Sequence, residues 1–398
     1  MCWHNQENLE RGNMITRKIG FLGLTFTDPN KGCEALTYTF LNMLREFYKG
    51  QKLEIVCFMR TDDFGKIPEM YPEFEFRCHI LNIYNPMSWF SVYQEIKECA
   101  CVFDGSYGDG FTGIYGTRRN FVQCLRKQMV LSAKKPLFLL PQTYGSYKFP
   151  FRKWSIGLIR KATLAYARDE ETAKEVGSFV KVTSDMAFGL PFDKKMYSFE
   201  DKKKFGINVS SLLWDDSTRG RFGLTVDYKL FYRELITYLL EENEYQVHII
   251  PHVIDVKNPE AGENDYRICL ELEKEFTGQV VLAPRFNTAI EAKSYIANMD
   301  VFLGSRMHST IGAISSGVAT VPFSYAYKFE ALYSHINYPY VLHATQTETD
   351  EALRLVKQWI EDPQELKNKG KASVALALSE LEEFKADIKE CLEKEKLL

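Results

Sequence analysis

The segment that concentrates the most chemistry in the fewest residues runs Val301-Phe302-Leu303-Gly304-Ser305-Arg306-Met307-His308-Ser309-Thr310. An apolar run passes through a Gly-Ser turn into a helical pattern beginning near Met307, so the turn falls at the carboxyl edge of a strand. Arg306 and His308 stand two apart. On backbone that is still extended both lean to one side, and the helix N-terminus behind them offers free N–H groups to an anion. A phosphate or a carboxylate is the ligand such a turn would hold. A surface arginine beside a satisfied cap histidine gives the same local sequence, so the assignment needs support from the rest of the chain.

Other strand edges carry matching groups. Arg168 follows the apolar run Leu164–Ala167 and precedes Asp169, which is placed to cap the next helix; its competing role is an ion pair with Asp169. His252, in Pro251-His252-Val253, closes the run that ends at Ile250, either as a ligand or as a loop-positioning hydrogen bond. Lys328 follows Phe323-Ser324-Tyr325-Ala326-Tyr327, as a point charge for phosphate or as a solvated helix-start lysine. Thr27-Asp28-Pro29-Asn30-Lys31-Gly32 is a turn-rich loop leading to a helix at Glu34, with polar side chains able to address sugar hydroxyls. Asp104 and Asp109 flank the loop Gly105–Gly110, as a carboxylate pair or as ordinary Asp-Gly turn chemistry.

The elements that must position these groups follow a βαβα rhythm, which predicts an α/β fold of parallel sheets covered by helices. Strands are expected at 18–24, 53–58, 76–81, 100–104, 136–140, 164–167 and 180–183, then at 205–209, 246–250, 280–283, 300–303 and 320–323. Helices are expected at 34–48, 118–132 and 152–161, then at 227–242, 265–276, 289–298 and 307–316. The polar, lysine-rich stretch 192–204 sets a domain boundary. The expected organisation is therefore an N-terminal extension (1–17), a first Rossmann-like domain on the acceptor side (18–191), a second on the donor side (192–362) and a C-terminal amphipathic helix (363–398). Two such domains with parallel sheets facing a cleft make a GT-B-like arrangement, with substrates at the carboxyl ends of the strands.

Composition excludes several classes. Lys plus Arg is 50 against Asp plus Glu 53, for a formal net charge of −3, so no global field favours nucleic acid, and no basic-aromatic nucleic-acid motif is present. There is no GxGxxG or GxxxxGK[ST] loop, and the seven histidines show no metal-ligand spacing. No metal and no cofactor are expected. The nine cysteines form no CxxC pair, and with no leader-like or spanning apolar run the expected location is cytoplasmic with reduced thiols.

The block Gly304-Ser305-Arg306-Met307-His308-Ser309-Thr310-Ile311, followed by Ser315-Ser316-Gly317-Val318, resembles the signature of the polysaccharide pyruvyl transferase family. Asn30-Lys31-Gly32-Cys33-Glu34-Ala35, Asp104-Gly105-Ser106 with Gly108-Asp109, Pro141-Gln142-Thr143-Tyr144-Gly145, Ala167-Arg168-Asp169, Ser184-Asp185-Met186-Ala187-Phe188, Ile207-Asn208-Val209-Ser210 and Pro251-His252-Val253 resemble family segments in the same order. The specificity lies in the ordered set, from about Lys18 to Tyr340.

The resemblance implies a phosphoenolpyruvate-dependent transferase that adds the enol carbon to a sugar hydroxyl, expels phosphate and closes a ketal. It implies donor-binding residues Arg168, Arg306, Met307, His308, Lys328 and His252, of which His308, Arg306 and Arg168 are catalytic. Forked arginines suit a carboxylate and a phosphate, and a group titrating near neutrality suits the proton transfers. Whether His308 protonates carbon, protonates phosphate or only binds stays open. Acceptor-binding residues are expected at Asn30, Glu34, Asp104, Asp109 and Tyr144. Family members commonly carry an acid directly after the glycine, where this chain has Cys33 and then Glu34. The implied partners are phosphoenolpyruvate and a saccharide acceptor of capsule or exopolysaccharide type, lipid-linked in one version, with peripheral contact at the inner membrane face that the tail helix could supply. A nucleotide-sugar glycosyltransferase of the same fold and a non-catalytic glycan-binding protein are the competing readings.

Overall fold

The structure is a computed structural model of the 398-residue chain that describes residues 17–59, 62–82, 84–215, 220–241 and 245–398. The expected N-terminal extension, apart from Arg17, lies outside the described residues. Thirteen strands are described: β1 (Arg17–Leu22), β2 (Leu53–Phe58), β3 (Phe74–Cys78), β4 (Cys101–Asp104), β5 (Leu137–Gln142), β6 (Leu164–Ala167), β7 (Lys181–Val182), β8 (Lys204–Asn208), β9 (Gln246–Ile249), β10 (Val280–Leu282), β11 (Val301–Gly304), β12 (Ala319–Ser324) and β13 (Leu342–His343). They form two sheets, in the orders β3-β2-β1-β4-β5-β6-β7 and β10-β9-β8-β11-β12-β13. The pairs β1–β2, β1–β4, β8–β9, β8–β11 and β11–β12 are all parallel. The fold is α/β with two parallel sheets, as the alternating pattern predicts.

Burial explains the strand sequences. Every residue of β5, β11 and β12 is buried, as expected where helices cover both faces of a sheet, and these strands read as near-continuous apolar runs for that reason. The described residues cluster into two compact units, one with residues 17–26, 41–166 and 385–398, the other with 27–40 and 167–384. The tail forms one helix, Pro363–Lys394, and buries Leu366, Ala377, Leu381, Phe384, Ile388 and Leu392. Its apolar stripe serves packing. One helix without an expected counterpart is Pro86–Glu98. Its apolar residues fall on two faces, Val92 and Ile96 buried and Phe90 exposed, which blurs the single stripe that sequence patterns detect.

In the second sheet, β8 lies between β9 and β11. Connections leave this point in opposite directions, and the crevice at the carboxyl ends of β8 and β11 is where ligands bind in open α/β sheets.

Candidate active site

The Gly-Ser-Arg turn after β11 is fixed to the end of β8. Gly304 pairs with Asn208 across the sheet, and a Cβ at Gly304 would lie 2.7 Å from the Phe302 ring and 2.9 Å from Ser309 Oγ, so only glycine fits. Asn208 Oδ1 accepts from Arg306 N at 3.0 Å and from Ser309 Oγ at 2.9 Å, while its Nδ2 donates to Ile250 O at 2.9 Å. One buried asparagine thus ties the turn, the helix Met307–Ser315 and the end of β9 together.

Arg306 is 8% exposed and faces Asp265, the first residue of the helix Asp265–Glu275. Its Nε donates to both carboxylate oxygens at 3.2 and 3.1 Å, and its Nη2 to Oδ1 at 2.7 Å and Glu263 O at 3.1 Å. Burial disfavours its charge, but the Asp265 carboxylate outweighs that and raises its pKa above the usual arginine value. Asp265 is itself held by Ser211 N at 3.0 Å and Val253 N at 3.0 Å. Among the described residues the side-chain hydrogen bonds of Arg306 leave from Nε and Nη2, none from Nη1.

The centre of the cluster is Asp185, which sequence reasoning did not single out. It is fully buried, caps Ala187 N at 2.9 Å through Oδ1, accepts from Arg168 Nη1 at 3.0 Å through Oδ2, and lies 3.5 Å from His308 Nε2. Burial alone would raise its pKa, yet His308 and Arg168 hold it well below the usual carboxylate range. Arg168 therefore pairs with Asp185, and Asp169 instead caps the helix Glu170–Val176 by accepting from Thr172 N at 2.8 Å. Among the described residues the buried His308 Nε2 makes no hydrogen bond of regular geometry, with Asp185 Oδ2 at ion-pair distance, 3.5 Å. On the other side of the ring lies Gly32, where a Cβ would stand 2.1 Å from His308 Nδ1.

Gly32 belongs to the loop and helix start 27–34, which this unit contains. Asn30 bridges to Val253, Lys31 N donates to His252 O at 3.1 Å, and Ile254 N donates to Pro29 O at 2.8 Å. Asn30 Oδ1 accepts from Gly32 N at 3.0 Å, an N-cap for the helix Lys31–Phe47. Glu34 is completely buried; Oε1 accepts from Lys31 Nζ at 2.7 Å and Oε2 from Ala289 N at 3.0 Å, at the start of the helix Ala289–Ile296. Burial pushes its carboxyl up to about 8, against the pull of Lys31. His252 is 5% exposed with Nδ1 unpartnered among the described residues, and burial together with the positive potentials of His308, Arg306 and Lys31 pushes its pKa well below the ordinary histidine value.

Of the expected donor residues, Arg168, His252, Arg306 and His308 are thus in one unit around Asp185 and Asp265, with Asn30 and Glu34 beside them. Met307 is buried at the start of its helix, and Lys328 is the half-buried second residue of the helix Tyr327–His335. Asp104, Asp109 and Tyr144 lie in the other unit. Asp104 is buried in an ion pair with Lys127 at 2.7 Å, Asp109 accepts from Tyr115 Oη at 2.9 Å, and Tyr144 is 2% exposed with its Oη unpartnered among the described residues. Asp185 carried two usable signals, its position shortly after an expected strand end and its place in the family-like block Ser184-Asp185-Met186-Ala187-Phe188. Asp265, at a helix start, reads as an ordinary dipole-complementing acid.

Two parallel sheets, with ligand-ready groups at the carboxyl ends of β8, β9 and β11, define an α/β protein of GT-B-like fold. UDP-GlcNAc 2-epimerase from Neisseria meningitidis bound to UDP-GlcNAc superposes with a TM-score of 0.60 at 12% identity, over 95% of this chain and 100% of that one. Anabaena Alr3699/HepE in complex with UDP-glucose gives 0.58 at 13% identity, over 95% and 99%, and sucrose-phosphate synthase from Thermosynechococcus elongatus gives 0.54 at 10%, over 95% and 98%. At such identities the likeness concerns the fold. No curated protein sequence matches significantly. The chain belongs to the polysaccharide pyruvyl transferase family, which matches residues 30–327; it is thus a member of a transferase family.

Proposed function

We propose that the chain transfers pyruvate from phosphoenolpyruvate to a sugar hydroxyl of a cell-surface or capsular glycan, or of its lipid-linked precursor, forming a pyruvate ketal and releasing phosphate. The observation that carries this reading is the convergence of Arg168, Arg306, His308 and His252 in one unit, with two buried ring nitrogens that make no hydrogen bond of regular geometry among the described residues. Burial first, and then the neighbouring His308, Arg306 and Lys31, lower the pKa of His252, and those same cationic neighbours favour an anionic ligand.

In this reading Arg306, through Nη1, and Arg168 take the carboxylate and phosphate. His308 delivers a proton from its ring to the methylene carbon, turning CH2 into CH3 and leaving the substituted carbon electron-poor. The acceptor hydroxyl oxygen bonds to that carbon and gives up its proton. The carbon–oxygen bond to phosphate then breaks with its electron pair on the phosphate, and a second hydroxyl closes the ketal as its own proton departs. Asp185 holds Arg168 and faces His308 throughout, and Glu34, its carboxyl pushed up to about 8, takes the hydroxyl proton through its ionised fraction, which grows as pH rises.

The test is a thermal-shift panel. Phosphoenolpyruvate at a hundredfold excess over its dissociation constant should stabilise the protein by about 2.7 kcal/mol, and Arg168→Lys and Arg306→Lys should shrink the shift. A shift with UDP-glucose and none with phosphoenolpyruvate would replace this reading with a nucleotide-sugar glycosyltransferase, a ligand class that the HepE neighbour holds.

A further inference from the structure

The first unit carries a surface whose composition is unlike the rest of the chain. From Gly110 to Tyr166 there is no aspartate or glutamate and there are eleven lysines and arginines, in a protein of formal net charge −3. Arg126 and Lys127 are buried. The others, among them Arg118, Lys148, Arg152 and Lys153, reach the surface.

The helices on this side carry apolar residues outward as well as inward, and the inward face of Thr117–Ser132, with Cys124 and Val130, also takes in polar groups. The helix Thr117–Ser132 buries Asn120, Gln123, Arg126 and Lys127, whereas Phe121 is 40% exposed and Leu125 and Met129 are half-buried on the outward stripe. The helix Pro86–Glu98 buries Val92 and Ile96 and leaves Met87 70% and Phe90 58% exposed. An open depression of about 450 Å³ lies between Tyr84, Trp89, Phe90, Tyr93, Leu125 and Met129. Side chains connect it to its neighbours: Arg118 Nη2 donates to Tyr84 Oη at 2.7 Å, and the Phe121 ring packs 5.6 Å from Phe151 and 5.9 Å from Trp154. Phe149, two residues before Phe151, is 92% exposed.

The acids that approach this face are engaged. Glu95 and Glu98, in the last turns of the helix Pro86–Glu98, bind Lys18 at 2.9 and 2.8 Å, and Asp109 accepts from Tyr115. A contiguous exposed apolar patch calls for an occupant. Aromatic side chains interleaved with lysine and arginine suit the headgroup region of a bilayer that carries negative charge. A second copy is a poor occupant, because isologous pairing would set one basic face against another.

We propose that this aromatic and basic face of the first unit docks on an anionic lipid bilayer. Docking is peripheral, since no described helix is long and apolar enough to cross a membrane. It places the membrane contact that a lipid-linked acceptor requires on this face and not on the tail helix, whose apolar stripe is buried. The proposal is independent of the transfer chemistry, because vesicle binding needs neither donor nor acceptor.

The experiment is co-sedimentation of the full chain with phosphatidylglycerol-phosphatidylcholine vesicles, against vesicles of phosphatidylcholine alone, across a salt series. The chain should pellet with the anionic vesicles, stay in solution with the neutral ones, and be released as salt screens the contact. The double substitution Arg152→Glu with Lys153→Glu, and separately Phe149→Ser, should each lower partitioning at least tenfold, whereas Lys369→Glu with Lys371→Glu on the tail should leave it unchanged. Failure to pellet at low salt, or equal pelleting of the face variants, would overturn the proposal. So would light scattering that shows a dimer turned to monomer by the Phe149 substitution.

Discussion

Asp104 in the first unit and Asp185 in the second are both completely buried carboxylates close to a strand end, and each faces a buried cation. Around Asp104 the cation is in direct contact, although Oδ2 forms no hydrogen bond of regular geometry among the described residues. Lys127 Nζ is 2.7 Å away, Ser106 N and Oγ both donate at 2.8 Å, and the ammonium also donates to Ser106 Oγ at 2.9 Å and lies 3.9 Å from the centroid of the Phe111 ring. Around Asp185 the open atoms lie on its imidazole neighbours. Arg168 is bonded at 3.0 Å, but His308 Nε2 stands at 3.5 Å without a hydrogen bond of regular geometry and His252 Nδ1 has no partner among the described residues. A buried ionic group whose bonds are all internal reads as architecture. One whose imidazole neighbours keep unmet ring nitrogens is prepared for a third party.

The largest effect that could break this contrast comes from His308→Asn. On the proposed reading, in which His308 transfers a proton, this change should lower phosphate release from phosphoenolpyruvate and acceptor by about 10² to 10⁴, with the unfolding temperature close to that of the parent protein. Gly32→Ala should approach the same loss without altering any titratable group, because its Cβ needs the space 2.1 Å from His308 Nδ1 and must displace the ring. A Gly32→Ala protein with full activity would show that the position of His308 is not what matters.

A smaller and more discriminating comparison sets Asp104→Asn against Asp185→Asn. Each removes the anion of a buried pair, which costs about 3–5 kcal/mol when the cation is left behind, and urea unfolding measures that directly. At a temperature where both remain folded, Asp104→Asn should retain the phosphoenolpyruvate dissociation constant and the rate of transfer. Asp185→Asn should lose transfer rate as well, since Arg168 and His308 lose the group that both of them face. Equal kinetic losses in the two variants would mean that the clusters do not differ in kind.

How much of this was legible beforehand depends on the range of the interaction. The turn after β11 could be read locally, because the strand, Gly304, Arg306 and His308 are adjacent and the helix start is signalled within ten residues. The fold class was legible for the same reason, as βα alternation repeats within short windows. Asp185 and Asp265 were not, because their partners come from elsewhere: 41 residues separate Arg306 from Asp265, and the segment with Asp185 meets His308 through the tertiary fold alone. Gly32 and Glu34 looked like parts of a loop addressing sugar. Nothing in 27–34 announces that Gly32 lies against an imidazole or that Glu34 caps Ala289, 255 residues away. The helix Pro86–Glu98 escaped because two apolar faces cancel the periodic signal that one would give.

Glu34 offers the smallest effect and the finest test of whether the second cluster sits near a titration point at neutral pH. Its carboxyl rises from an ordinary 4.5 to about 8, because burial outweighs the stabilisation of the charged form by Lys31 and by Ala289 N. With the folded pKa above the unfolded one, the folded state holds the proton more tightly. Its contribution to stability is therefore fully present below about pH 4.5 and is lost as pH rises through about 8. Other groups titrate too, so the quantity to follow is the difference in unfolding free energy between the parent protein and Glu34→Gln, which keeps the shape and removes the titration. That difference should move against the parent protein as pH rises from about 4.5 to about 8, by on the order of a few kcal/mol. A difference that stays flat across this window would mean that Glu34 is charged throughout and held as an ordinary ion pair with Lys31.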